Sequence, residues 1–324
     1  MGLAVPAVQV LASGRLMRQG ILLKSATALE RFARADTVVF DKTGTLTQGR
    51  PVLMPGPSGA DILAAAGIAH ASRHPLARAL AAAAPEAIAA VGVEELPGLG
   101  LRWRSPAGEW RLGRRDWAAG VGEDEAAGAE LWLDRPGTSP VRFGFGDALR
   151  ADAAEVIESL RRQGYSVALL SGDRVPTVRD VAAEIGIAKW HGGCAPGDKV
   201  ARLEAWAAEG RRVLMVGDGL NDAPALAAAY VSLSPASAVD VAQTAADAVF
   251  QGALLRPVLE VIQVAREAER LVKQNIGLSL GYNLLAVPLA MLGWVTPLVA
   301  AVAMSSSSLL VVLNSTRLCL SRRA

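Results

Sequence analysis

Residues 37–47 read TVVFDKTGTLT, an apolar run that ends on a single acid, Asp41, and then breaks into a small polar turn. An aspartate at such a strand tip is either a capping residue or a nucleophile, and Gly44 lets the chain turn back just after it. Three further segments carry reactive side chains. They are Ser171-Gly172-Asp173, the PGDK stretch ending in Lys199, and GDGLNDAPAL over residues 217–226, which holds Asp218, Asn221 and Asp222. Four such segments in one chain point to a built site rather than to scattered structural residues.

The elements that must position them follow from the pattern around each one. TVVF precedes Asp41, SVALL precedes Ser171, and RRVLMV precedes Gly217. Helical stretches are expected over 152–163, 175–185 and 199–209. Strands alternating with helices at this spacing predict βαβ units and a parallel sheet. In such a sheet ligands bind beyond the C-terminal strand ends, where Asp41, Ser171, Asp173, Asp218 and Asp222 would converge. Residues 51–145 interrupt the pattern: an Ala-rich helical part over 61–84 is followed by a glycine-punctuated, alternating part that predicts a small antiparallel sheet. This reads as an inserted α+β domain.

DKTGTLT and GDGLNDAP, with SGD and PGDK, resemble the phosphorylation domain of P-type ATPases, a branch of the haloacid dehalogenase superfamily. The resemblance implies an α/β, haloacid dehalogenase-like parallel sheet and an Asp41 that attacks the γ-phosphate of ATP to become an aspartyl phosphate. A carboxylate attacking a polyanion needs both charges neutralised, which Mg²⁺ and a lysine can do. Asp41, the Thr43 carbonyl and Asp218 would hold the metal with Asp222 nearby, and Lys199 would face the phosphate. Ser171 and the amides of Gly172 and Gly44 would donate to the phosphate oxygens, with Asp173 in the same loop; Asn221 would help close the site, and Thr45 would brace the turn. Soluble phosphatases of the superfamily carry a second aspartate two residues after the nucleophile. Here that position is Thr43, so the phosphoenzyme should persist.

The inserted domain resembles the nucleotide-binding domain of the heavy-metal branch. Ser72, His74 and Pro75 match its Ser-x-His-Pro element, in which the histidine contacts adenine. Gly98, Gly100 and Gly113 match its glycines, which permit close approach of the nucleotide. Two positions depart from that pattern: a usual glutamate is Ala69, and a usual asparagine is Arg114, which offers a cation for a phosphate.

Composition bounds the rest. The 33 Lys and Arg nearly balance 31 Asp and Glu, which argues against nucleic acid as a partner. Cys194 and Cys319 stand far apart, with no disulfide framework and no zinc spacing. Hydrophobic residues reach 52%, concentrated in runs over 275–292 and 298–313, and no acid follows Glu269. Each run approaches the roughly 20 residues that cross a bilayer. Arg266, Arg270 and Lys273 before the first, and Arg317, Arg322 and Arg323 after the second, place both outer ends in the cytoplasm. A transmembrane hairpin turning over 293–297 is expected, in a plasma membrane of bacterial type with the catalytic domains cytoplasmic.

Tyr282 and Asn283 in the first span, and Met304 and Ser308 in the second, match the pattern of monovalent copper transporters. A thioether beside polar oxygens suits Cu(I), whereas pumps for divalent metals place a carboxylate in the last span. The expected organisation is the end of a truncated membrane helix at 1–17, a phosphorylation domain at 18–50 and 146–268, a nucleotide-binding domain at 51–145, and two transmembrane helices at 269–318. The resemblance covers the C-terminal half of a transporter, so a metallochaperone or a separate N-terminal half enters as an expected partner beside ATP, copper and the bilayer. The rival readings are a membrane-tethered phosphatase of the same superfamily and a pump for zinc or cadmium.

Overall fold

A computed structural model describes residues 5–120, 129–218, 222–238, 240–292 and 296–320. The chain divides into two units, Met1–Leu46 with Arg150–Ala324, and Thr47–Leu149.

The first unit is built on a seven-stranded sheet in the order Ile21–Leu23, Ala248–Phe250, Val231–Pro235, Val213–Val216, Thr37–Asp41, Ser166–Leu170 and Lys189–His191. All neighbours are parallel except the first pair. The three apolar runs form its centre because they are buried on both faces, as continuous Val and Leu runs in a parallel sheet must be. Register then fixes the site: Phe40 lies opposite Val216 and Leu169, and Asp41 opposite Leu170. Asp41, Ser171 and Gly217 therefore leave the sheet at one edge. The chain reaches strand Val213–Val216 on one side of Thr37–Asp41 and Ser166–Leu170 on the other, which makes this edge a topological switch point.

The helices Ala153–Arg162, Val175–Glu184 and Pro196–Ala208 occupy the expected stretches. Val39, Leu170, Met215 and Leu203 lie in one cluster of the core with Ala225 and Leu226. Burying each such side chain is worth about 1.5–3 kcal/mol, so the sheet is rigid where Asp41 leaves it.

The second unit carries a six-stranded antiparallel sheet in the order Thr47–Leu53, Val141–Leu149, Glu130–Asp134, Gly108–Gly113, Gly100–Ser105 and Glu94–Leu96. The Ala-rich part expected as one helical region is two helices, Gly59–Ala69 and Pro75–Ala83. The break has local causes. Pro75 opens the second helix, lacking the N–H a continuing helix would need, and His74 Nδ1 caps it by accepting the Leu76 N–H at 3.3 Å. Ala65, Ile68, Ala77 and Leu80 pack on Leu101, Leu112, Leu133 and Phe143.

Beyond the sheet of the first unit, helix Arg256–Met291 runs for 36 residues. The Asp152 carboxylate caps it, accepting the Leu255 and Arg256 amides at 2.8–2.9 Å. Helix Pro297–Leu320 follows. Among the described residues one helix, Leu298–Leu318, is long and apolar enough alone to cross a membrane, with a mean hydropathy of 1.8. The first expected span is the C-terminal half of Arg256–Met291, and that helix does not reach that measure. The expected turn at Gly293, Trp294 and Val295, and the flanking Arg322 and Arg323, lie outside the described residues.

The N-terminal stretch forms helix Pro6–Arg18, which buries Val8, Ala12 and Leu16, spaced four apart on one face, and packs on both C-terminal helices. Arg15 fastens it, donating to Glu267 Oε2 at 2.7 Å and to the Leu318 carbonyl at 3.0 Å.

Candidate active site

Asp41 ends its strand 5% exposed, and the loop Lys42–Leu46 turns at once. Thr43 is extended and Gly44 left-handed at φ +66°, a conformation that favours glycine. Glycine is required here for a second reason. A Cβ on Gly44 would lie 1.5 Å from Asp218 Oδ2, so the missing side chain is the space the Asp218 carboxylate occupies. Arg150, buried, donates to the Gly44 carbonyl at 2.8 Å and to the Gly252 carbonyl at 3.2 Å, holding the turn from behind.

Lys199 enters from the first turn of Pro196–Ala208 and reaches Asp41 Oδ1 and Asp222 Oδ1, both at 2.6 Å. All three are at least 95% buried. One oxygen from each of Asp41, Asp218 and Asp222 falls within 4.8 Å of the others, the one such group of potential metal ligands among the described residues. Three carboxylates and Lys199 together carry two excess negative charges when all are ionised. Burial, and next the Asp222 carboxylate, push Asp41 up to about 7 against the pull of Lys199, with Asp218 adding to the rise. Burial alone would lower Lys199, but Asp41 and Asp222 beside it raise it, so it stays protonated.

This donor set fits a hard divalent cation. Mg²⁺ takes one or two carboxylates with oxygen ligands and waters, and would offset the excess charge. The buried Thr45 Oγ1 has no hydrogen-bond partner among the described residues, and its proton could serve an oxyanion in the same turn.

Ser171 is buried and its Oγ accepts the Asp173 amide at 3.1 Å, which leaves its own proton to donate. Gly172 is exposed beside it. Asp173 pairs with Lys42, and these two were not connected by any motif. The Ser171–Asp173 loop is itself held by backbone bonds: Ser171 N–H to the His191 carbonyl, Cys194 N–H to the Ser171 carbonyl and Gly193 N–H to the Asp173 carbonyl, at 2.7–3.0 Å. Asn221 lies outside the described residues. The sheet edge thus gathers Asp41, Asp218, Asp222 and Lys199, with Thr43 and Gly44 in the turn and Ser171 opposite on the neighbouring strand end.

In the second unit Ser72 is buried, and its Oγ accepts the His74 amide at 3.1 Å while donating to Glu95 Oε1 at 2.7 Å. His74 and Pro75 are exposed at the start of their helix. Gly100 and Gly113 stand opposite each other in register, and a Cβ on Gly100 would lie 2.5 Å from Gly113 Cα. These two glycines therefore have a packing cause of their own, and Gly98, at φ +75°, serves a turn. Ala69 is fully buried in the core. The Arg114 guanidinium holds both Asp116 oxygens at 3.1 Å.

Tyr282 and Asn283 are half-buried on Arg256–Met291, while Met304 and Ser308 are exposed on Pro297–Leu320. No hydrogen bond among the described residues joins these four. The polar link between the two helices lies elsewhere: buried Asn275 donates to Ser315 Oγ at 3.0 Å, and Asn314 donates to Asn275 Oδ1 at 2.9 Å.

Comparison with known proteins gives three kinds of match. Residues 35–229 match the family of haloacid dehalogenase-like hydrolases. The chain is 46% identical over 321 residues to the nitrogen fixation protein FixI of Rhizobium meliloti, covering 98% of this chain and 42% of that protein. It is 36% identical over 341 residues to the probable copper-exporting P-type ATPase V of Mycobacterium tuberculosis, covering 98% and 44%. The crystal structure of a zinc-transporting PIB-type ATPase in its E2.Pi state superposes with a TM-score of 0.82 at 30% identity, covering 98% of this chain and 55% of that one. The chain spans less than half the length of the curated relatives it matches.

Proposed function

Taking as premise that this chain belongs to the haloacid dehalogenase-like hydrolases, in their heavy-metal P-type ATPase branch, we propose that Asp41 accepts the γ-phosphoryl group of ATP. The phosphoenzyme so formed drives a soft cation, with Cu(I) favoured, out of the cytoplasm. The observation that carries the proposal is Lys199 shared at 2.6 Å between Asp41 and Asp222, with Asp218 alongside. A buried carboxylate cannot approach a triphosphate while its neighbours are unneutralised. Lys199 offsets one charge; Asp41, Asp218, the Thr43 carbonyl and nearby Asp222 would hold Mg²⁺, which when bound lowers the repulsion and polarises the phosphoryl group.

The chain's own residues do the rest. Asp41 attacks in line, the Asp–phosphate bond forms as the bond to the ADP leaving oxygen breaks, and Lys199, Ser171 and the Gly44 and Gly172 amides receive the phosphoryl oxygens. Thr43 offers no carboxylate to activate water, so the aspartyl phosphate lasts long enough for membrane helices to rearrange. His74 and Pro75, beside Ser72, with Gly98 in its turn and Gly100 and Gly113 on the adjoining strands, form the nucleotide end.

Cu(I) is favoured by Met304 and Ser308 on one helix face and by the lack of any acid after Glu269. A divalent cargo is the second reading, favoured by the likeness to the zinc-transporting structure. The test is incubation of the purified chain with γ-³²P-ATP and Mg²⁺. Acid-stable, hydroxylamine-labile label that vanishes in Asp41→Ala is expected; label that persists in Asp41→Ala, or none in folded wild type, refutes the proposal.

A further inference from the structure

The strand Glu94–Leu96 begins with two glutamates that serve different ends. Glu94 lies opposite Arg102 and pairs with its guanidinium at 2.7 Å. Glu95 points to the other face, as strand alternation requires, and its Oε1 accepts the Ser72 hydroxyl at 2.7 Å. Because Ser72 Oγ also holds the His74 amide, one buried serine ties the acid to the loop that presents His74.

The His74 ring is oriented as well. Its Nδ1 accepts the Leu76 N–H, so the ring proton resides on Nε2. An exposed donor, His74 Nε2–H, and an exposed acceptor, the Glu95 carboxylate, are thereby held in fixed relation within one unit. Ser72 engages Oε1, and no hydrogen bond among the described residues engages Oε2.

We propose that Glu95 selects adenine over oxo-purine nucleotides, an inference that rests on the reading that this loop receives the base of ATP. A carboxylate would repel a triphosphate, so its place is at the base end of the ligand. Adenine directs an amino group, a donor, from its six-position. Guanine and hypoxanthine direct a carbonyl oxygen there, whose lone pairs oppose those of the carboxylate. Glu95 thus accepts from one class of purine and turns away the other.

Isothermal titration of the full chain in detergent with ATP and with inosine triphosphate tests this. Wild type is expected to prefer ATP by about tenfold or more, the worth of one charge-assisted hydrogen bond. Glu95→Ala should bring the ratio close to one. Glu95→Gln keeps the shape and the Ser72 bond but can donate to a carbonyl, so it should raise affinity for the inosine nucleotide, an outcome that a purely structural role for Glu95 does not produce. Equal ratios in wild type and both variants, with ATP bound, overturn the role of Glu95 alone. Absence of any nucleotide binding in folded wild type overturns the underlying reading with it.

Discussion

Neutralising Asp41 should stabilise the protein, although it destroys the nucleophile. Its carboxyl is raised from 3.8 to about 7, chiefly by burial and by Asp222, so the folded state holds a proton that the unfolded state has released. Between those values the native state binds more protons, and unfolding free energy falls as pH rises. About three units at 1.36 kcal/mol each set a ceiling of about 4 kcal/mol, lost progressively from about pH 4 and fully absent above about pH 7. Asp41→Asn never ionises and escapes that loss. In EDTA, thermal unfolding of the detergent-solubilised chain should show the variant drawing ahead of wild type from about pH 4 upward. The gap should reach roughly 8 °C by about pH 8, at about 2 °C per kcal/mol for a chain of this size. Mg²⁺ should then close the gap by stabilising wild type more than the variant. A gap that does not widen with pH, or equal stabilisation of both by Mg²⁺, would refute the reasoning.

Other substitutions probe neighbouring parts of the same arrangement. Gly44→Ala should drive its new Cβ into the Asp218 carboxylate and lower phosphoenzyme formation at least about a hundredfold, as misplacement of reacting groups by about 1 Å does; radiolabel incorporation across a Mg²⁺ titration reads it out. Lys199→Met leaves Asp41 and Asp222 buried without their shared cation, so stability at neutral pH should drop by about 3–5 kcal/mol, measured by urea unfolding. Gly100→Ala should loosen the second unit by about 1–3 kcal/mol through collision with Gly113 and Leu112. Tryptophan fluorescence during urea unfolding, with Trp103, Trp110 and Trp132 in that sheet, reports the shift.

The three central strands were legible because each is a continuous apolar run ending in a polar tip, and their register brings Asp41, Ser171 and Gly217 to one edge, where Lys199 and Asp222 arrive from helix starts. Strand Val231–Pro235 was hidden by Ser232 and Ser234, which are fully buried yet polar; Asp247 accepts from Ser232 and makes that burial tolerable. Lys189–His191 is too short and too polar to announce itself. Arg150 and Lys42 could not be found from spacing. Arg150 meets the Gly44 carbonyl across 106 residues, a contact that exists only once Val141–Leu149 has returned the chain to the first sheet's edge. The break between the two Ala-rich helices was present in Ser72-Arg73-His74-Pro75, where a proline and a capping ring outweigh the high helix propensity of alanine on either side.

The helix Arg256–Met291 has a consequence of a different kind. At 1.5 Å per residue its 36 residues form a rod of roughly 54 Å, capped by Asp152 at one end and carrying Tyr282 and Asn283 towards the other. A continuous helix transmits angle as faithfully as it transmits length. One inserted residue between Ala268 and Ile276 would turn everything beyond it by about 100°, a shift of only about 1.5 Å along the axis but more than a right angle around it. Azimuth is thus inherited from the end capped by Asp152, and an insertion of seven residues, which nearly restores the phase, should be borne far better than an insertion of two.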